Sequence, residues 1–143
     1  MTANYANLGV QFLYPENWQI MDEDAVSWPR TVSLQSPSGG VWSLVVYPSD
    51  DKHPMDLTAE VLSTMQQEYE GLESLEVCEQ FGSVSTNGYD MCFYCLDCVV
   101  SARALGVCLG DQTLLMIWQA EDREFERLEQ VFRAITTSLL QDC

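Results

Sequence analysis

Thr113-Leu114-Leu115-Met116-Ile117-Trp118-Gln119 reads as a β-strand with apolar residues at nearly every position. A strand with one wet face alternates polar and apolar residues. A run without that alternation marks a central strand covered on both faces. Two segments have the pattern to do the covering. Downstream, Phe125, Leu128, Phe132, Ile135 and Leu139 follow steps of three, four, three and four, which is the apolar stripe of an amphipathic helix. Asp122 is placed to cap its N-terminus. Glu124, Arg127, Glu129 and Arg133 fall off the stripe and are expected to face water. Glu129 and Arg133, in the favourable i, i+4 order, add only ~0.3–0.5 kcal/mol. Upstream, Leu57, Val61, Met65 and Tyr69, with Leu62 beside them, form a second stripe. There Asp56 is the expected N-cap and Gly71 the C-terminal stop.

Strands fill the rest. Val10, Phe12 and Tyr14 alternate with their neighbours until Pro15, and Glu16-Asn17-Trp18 turns the chain. Thr31–Gln35 and Val41–Tyr47 flank Ser36-Pro37-Ser38-Gly39-Gly40, so they form an antiparallel hairpin. Leu75, Val77, Glu79 and Phe81 restore a period of two. Asn87-Gly88 carries the sharpest hairpin signal, because both residues tolerate positive φ. It is predicted to join a strand near 75–85 to one near 89–97. A return strand near 99–107 and a turn at Leu109-Gly110-Asp111 lead back to the central strand. The order is β-β-β-α-β-β-β-β-α, with short connections that favour antiparallel neighbours. The expectation is one domain over residues 1–143, of the α+β class. It should hold a twisted antiparallel sheet of about six to seven strands flanked by helices, an α/β/α sandwich.

The composition supports a folded core and narrows the partners. Of 143 residues, 47% are hydrophobic, enough to bury a core without staples. Twenty-two acidic residues against six basic ones leave a net charge of −16. A nucleic-acid binder needs Lys and Arg along its surface, so nucleic acid is excluded as the default partner. A field of this sign suits a protein partner with a basic surface, and solubility alone is the other reading of the acidity. The most apolar stretches, Cys98–Leu109 and Thr113–Trp118, are too short to cross a bilayer, and the first contains Arg103. The first basic residue is Arg30, so the charged start of a signal peptide is missing. A cytoplasmic protein with no membrane insertion is expected.

The sequence offers little catalytic chemistry. Gly-x-Ser-x-Gly, the phosphate-cradling loop and the dinucleotide fingerprint are all missing, and His53 lies alone in a loop before the first helix. The reading is therefore a non-enzymatic accessory or protein-binding module without a cofactor. Asp22, Glu23 and Asp24 read first as a solvated turn, and as the alternative an acidic turn that could dock a basic partner. Trp28, beside Pro29, is the candidate exposed anchor, since Trp is enriched at interface hot spots. The plainer expectation places Trp18, Trp28 and Trp42 in the core or at its edge.

The alternative rests on thiols. Six cysteines (Cys78, Cys92, Cys95, Cys98, Cys108 and Cys143) are read first as reduced thiols that pack as small hydrophobes. Cys92, Cys95 and Cys98 could instead make a metal-binding or redox site. On a straight strand Cys92 and Cys98 share a face and Cys95 points the other way, so three thiolates do not converge. If the chain turns at Leu96-Asp97, Cys95 and Cys98 become cross-strand neighbours, half of a zinc knuckle.

Three motifs carry a family resemblance. Gly9-Val10-Gln11-Phe12-Leu13-Tyr14-Pro15-Glu16-Asn17-Trp18 resembles the opening strand, Tyr-Pro and Trp of PsbP-like proteins. Ser36-Pro37-Ser38-Gly39-Gly40-Val41-Trp42 resembles their next hairpin. Phe132-Arg133-Ala134-Ile135-Thr136-Thr137-Ser138 resembles their closing helix. The superfamily includes the extrinsic photosystem II protein PsbP, a Ran-GTPase-binding nuclear import factor and bacterial proteins of unknown role. The resemblance implies the sandwich fold and a non-catalytic binding role. Its matching residues are packing and turn residues, and they carry over no specific partner.

Overall fold

The computed structural model describes residues 2–7, 9–22, 29–48 and 52–141. In chain order the elements are β1 (Thr2–Asn7), β2 (Val10–Pro15), β3 (Gln19–Met21), β4 (Arg30–Gln35), β5 (Val41–Pro48) and α1 (Pro54–Glu68). They continue with β6 (Glu73–Phe81), β7 (Val84–Cys95), β8 (Cys98–Leu109), β9 (Gln112–Glu121) and α2 (Asp122–Gln141). Seven strands form one antiparallel sheet in the order β3-β4-β5-β9-β8-β7-β6. The apolar strand β9 stands at its exact middle, as an unalternating strand must. The two helices cover opposite faces, so the α/β/α sandwich of the α+β class is the observed fold.

Alternation along each strand sends its side chains to one helix or the other. Trp42, Leu44, Val46, Leu114, Met116 and Trp118 pack under α2, in a core that also holds Phe125, Phe132, Ile135 and Leu139. Met91, Phe93, Ala102 and Ala104 pack under Val61, Leu62 and Met65 of α1 and Tyr69 at its C-terminal cap. The alanines keep β8 thin enough for α1 to lie close. At Gly106 a Cβ would come within 2.8 Å of the Pro54 carbonyl at the start of that helix.

Strand β2 does not join this sheet. It pairs with β1, a strand the sequence reading passed over, in a separate two-stranded sheet. Phe12 and Tyr5 from this hairpin extend the core beneath α2 by stacking on one another, and Phe12 tilts against Trp42. The Leu13 amide donates to Ser138 Oγ at 2.7 Å and ties the hairpin to the helix. β3, at three residues, is also an addition to the expected order.

Several expectations need correction. Asn87-Gly88 is not a turn. It lies inside the twelve-residue strand β7, opposite Cys78 and Val77 on one side and Gly106 and Leu105 on the other. The glycine is needed because a Cβ there would collide with the Ala104 backbone carbonyl of β8. The real turn is Gly82-Ser83, with Gly82 at φ 63°. Asp56 lies in the first turn of α1 and is not its cap. His53 is the cap, its Nδ1 accepting the Met55 amide at 3.2 Å, with Pro54 opening the helix. Asp122 begins α2, but its carboxylate accepts from Ser101 Oγ, and Glu121 accepts the Glu124 amide. The thiols are less buried than expected, since Cys78, Cys98 and Cys108 are exposed.

Candidate functional site

Polar chemistry among the described residues concentrates where β6, β7 and β8 meet α2. Arg103 stands on β8 directly opposite Asp90 of β7 and Trp118 of β9. It is the one charged residue of a largely apolar strand, and its side chain is only 11% exposed. A guanidinium taken out of water must be paired. Nε and Nη2 of Arg103 donate to the two carboxylate oxygens of Asp90. Nη1 lies 3.1 Å from Glu79 of β6 and 3.3 Å from Glu129 of α2. Beneath it the Trp118 ring centroid is 5.3 Å away, within cation–π range. Arg133 of α2 pairs with the same Glu79 and Glu129 and lies over Phe81 and Trp118. Glu129 and Arg133 therefore turn toward the sheet and do not simply face water.

The cluster holds three carboxylates and two guanidinia. Burial alone would lower the Arg103 pKa. The hydrogen bond and charge of Asp90, with Glu79 and Glu129, override it and hold the pKa above the ordinary arginine value. The group stays charged at any working pH. Its donors are occupied by carboxylates, so the arrangement clamps α2 to three strands and does not present a free cation to an anionic ligand.

Replacing Arg103 with Met would leave Asp90, Glu79 and Glu129 facing one another with one fewer cation. The partners are 24–39% exposed, so water relieves part of the repulsion. The expected cost is about 1–3 kcal/mol by urea unfolding, below the ~3–5 kcal/mol of a fully buried pair. Arg103→Lys should recover only part of it, because a lysine cannot form the two parallel bonds to Asp90.

Beside the clamp opens a cleft of about 290 Å³, lined by Glu73, Leu75, Asp90, Cys92, Ser101 and Phe125 among others. Cys92 offers no activated nucleophile. Burial first, then the charges of Asp122 and Glu73, push its thiol pKa up, which keeps it protonated at neutral pH.

The chain does turn at Leu96-Asp97, with φ of 49° and 68°. Cys95 and Cys98 are accordingly opposite one another across β7 and β8. Cys95 packs with Phe93 on the α1 face, whereas Cys92 lines the cleft on the α2 face. The three thiols do not converge. Among the described residues no three His, Cys, Asp or Glu side chains are grouped to hold a metal ion. At the hairpin tip Leu96 is 93% exposed and Tyr94 75%.

Of the proposed interaction residues, Asp22 is exposed just after β3. Glu23, Asp24 and Trp28 lie outside the described residues. Trp18 and Trp42 are buried, as expected.

No family model matches the sequence, and no curated protein matches it. The structure does have likenesses. It superposes on cyanobacterial PsbP (CyanoP) from Synechocystis sp. PCC 6803 with a TM-score of 0.63 and 12% identity, over 96% of this chain and 90% of that one. The fold is PsbP-like. The same PsbP-like architecture matches PA94 of Pseudomonas aeruginosa, a protein of unknown function, at TM-score 0.56 and 12% identity, covering 96% and 95% of the two chains. LpqN, involved in cell envelope biogenesis of Mycobacterium tuberculosis, matches at TM-score 0.58 and 13% identity, covering 94% and 87%. At these identities the likeness is one of fold. Within this PsbP-like sandwich the Arg103 clamp was missed by sequence reading. The available signal was a lone arginine inside an apolar run, in a chain with six bases in all.

Proposed function

We propose that this chain is a non-enzymatic accessory module that binds a protein partner through its acidic surface, the partner presenting a basic face. The observation that carries this reading is where the scarce bases go. Arg103 and Arg133 are committed to Asp90, Glu79 and Glu129. Lys52 pairs with Glu60, and Arg127 with Glu124. With these cations held in intramolecular pairs, buried or at the surface, the far more numerous acids carry the net −16 of the chain. Such a field speeds encounter with cationic surfaces and repels acidic ones. Folds of this kind host many roles, and it is the surface, not the fold, that supports this reading. A cytoplasmic setting fits the five free thiols among the described residues, which a reducing compartment keeps reduced.

The test is capture from a native-host lysate on the immobilised chain, followed by elution with rising salt. Specifically retained proteins should be basic and should elute as screening shortens the reach of the field to about 8–10 Å and below. Retention that is indifferent to salt, or retention of acidic proteins, overturns the reading.

A further inference from the structure

We propose that β6 is an open sheet edge that receives an extended, lysine-bearing segment of a partner as an eighth strand. This inference rests on the acidic-surface reading and locates the contact.

The two edges of the sheet differ. β3 is three residues long and offers little to pair with. β6 runs nine residues at the other end, and most of its residues are exposed. Its pairing with β7 closes at Phe81 opposite Val84, across the two-residue turn. In a two-residue hairpin the closing pair is hydrogen-bonded, and bonded and unbonded pairs then alternate. The N–H and C=O groups of Ser74, Glu76, Cys78 and Gln80 are thereby aimed away from β7, as a template for a further strand. The sequence Glu73-Ser74-Leu75-Glu76-Val77-Cys78-Glu79-Gln80-Phe81 holds no proline or lysine to blunt that edge.

The surroundings suit an occupant of one charge. On the α2 face β6 borders the cleft of about 290 Å³ through Glu73 and Leu75, the latter 68% exposed. On the α1 face it borders a second cleft of about 250 Å³ through Glu76 and Cys78, with Met55 across it. Successive side chains of an added strand point to opposite faces, so alternate residues would lean over one cleft and then the other. Each cleft joins an apolar wall to a glutamate. A lysine matches both, its methylenes against Leu75 or Met55 and its ammonium at Glu73 or Glu76. A second copy of this chain is disfavoured, since it would bring −16 against −16.

The probe is an acetylated, amidated peptide alternating Lys and Val, about eight residues long, the usual length of a strand. Its Glu/Val counterpart is the control. Binding to the full chain is measured at low and high salt, with amide hydrogen exchange read residue by residue. The Lys/Val peptide should bind more weakly as salt rises, and it should protect the amides of Ser74, Glu76, Cys78 and Gln80. Cys78→Pro removes one outward N–H at a position where an edge strand tolerates proline. It should weaken binding about tenfold, the equivalent of one good hydrogen bond, with thermal melting near that of the parent. Glu73→Gln with Glu76→Gln keeps the main chain and should flatten the salt dependence. Three results overturn the edge site: no binding of the Lys/Val peptide at low salt, equal binding of the Glu/Val peptide, or protection that bypasses β6. If Cys78→Pro fails to fold, the exchange pattern on the parent chain still decides. The acidic-surface reading fails separately, when host proteins captured by the chain are indifferent to salt.

Discussion

Phe132→Ala should destabilise the protein by about 3–5 kcal/mol, the usual range for deleting a buried aromatic ring. Phe132 has no exposed surface. Its ring meets Trp18 edge-on at 5.9 Å, stacks on Trp118 at 5.8 Å and tilts against Phe125 at 5.8 Å. Those neighbours come from a turn, the central strand and the helix itself, so the hole cannot close without moving all three. Gly40 adds to the constraint, since a Cβ there would lie 3.3 Å from the tip of the Phe132 ring. Urea unfolding measures the loss. A typical domain has ~5–15 kcal/mol in hand, so the variant should survive at low temperature with a large drop in midpoint. A silent Phe132→Ala would mean that α2 does not lie on the sheet as described.

Thr136→Val is expected to cost about 2–6 kcal/mol, although the two side chains are nearly the same shape. Trp42 and Trp118 are fully buried and lie on neighbouring strands as a direct pair. Both indole N–H groups donate to the one hydroxyl of Thr136, at 3.0 and 3.1 Å. The hydroxyl donates in turn to the Phe132 carbonyl at 2.9 Å. A hydroxyl has one proton and two lone pairs, so all of its capacity is used. Valine would strand two donors in an apolar core, each costing about 1–3 kcal/mol. Thr136→Ser retains the hydroxyl and should lose about 1 kcal/mol for the methyl. Thr137→Val is the control, because that hydroxyl bonds only the Arg133 carbonyl of its own helix. It should be close to neutral. Equal losses for Thr136→Val and Thr136→Ser would show that the indole bonds carry no weight.

These two residues also mark what can be read from a sequence. Phe132 lies in a stripe of period 3.6, and its burial follows from local spacing. Thr136 lies beside the stripe and reads as an ordinary helix-surface residue. Its role exists only because two tryptophans, 94 and 18 residues away, arrive above it. Glu129 shows the same limit. As an i, i+4 partner of Arg133 it looked worth a few tenths of a kcal/mol. In the fold it also bonds Arg103 on β8. Asn87-Gly88 failed differently, since glycine serves positive-φ turns and close backbone approaches equally well. The dipeptide looks the same in both settings, and only the nearness of Ala104 tells them apart.

The layer architecture was legible in the chain: a central strand apolar on both faces and two amphipathic helices to cover it, with a net charge of −16. Each of these depends on periodicity or composition, which are properties of residues near one another in the chain. Tertiary structure alone decided that Val10–Pro15 pairs with Thr2–Asn7 outside the main sheet, that Arg103 is clamped by carboxylates from three elements, and that β6 is left at the edge. Pairing partners and edges are set by contacts between distant segments, and an isolated strand pattern is compatible with several neighbours. The order β3-β4-β5-β9-β8-β7-β6 inserts β9 between β5 and β8, far from β5 in sequence, because only a site covered on both faces can hide its unbroken apolar run.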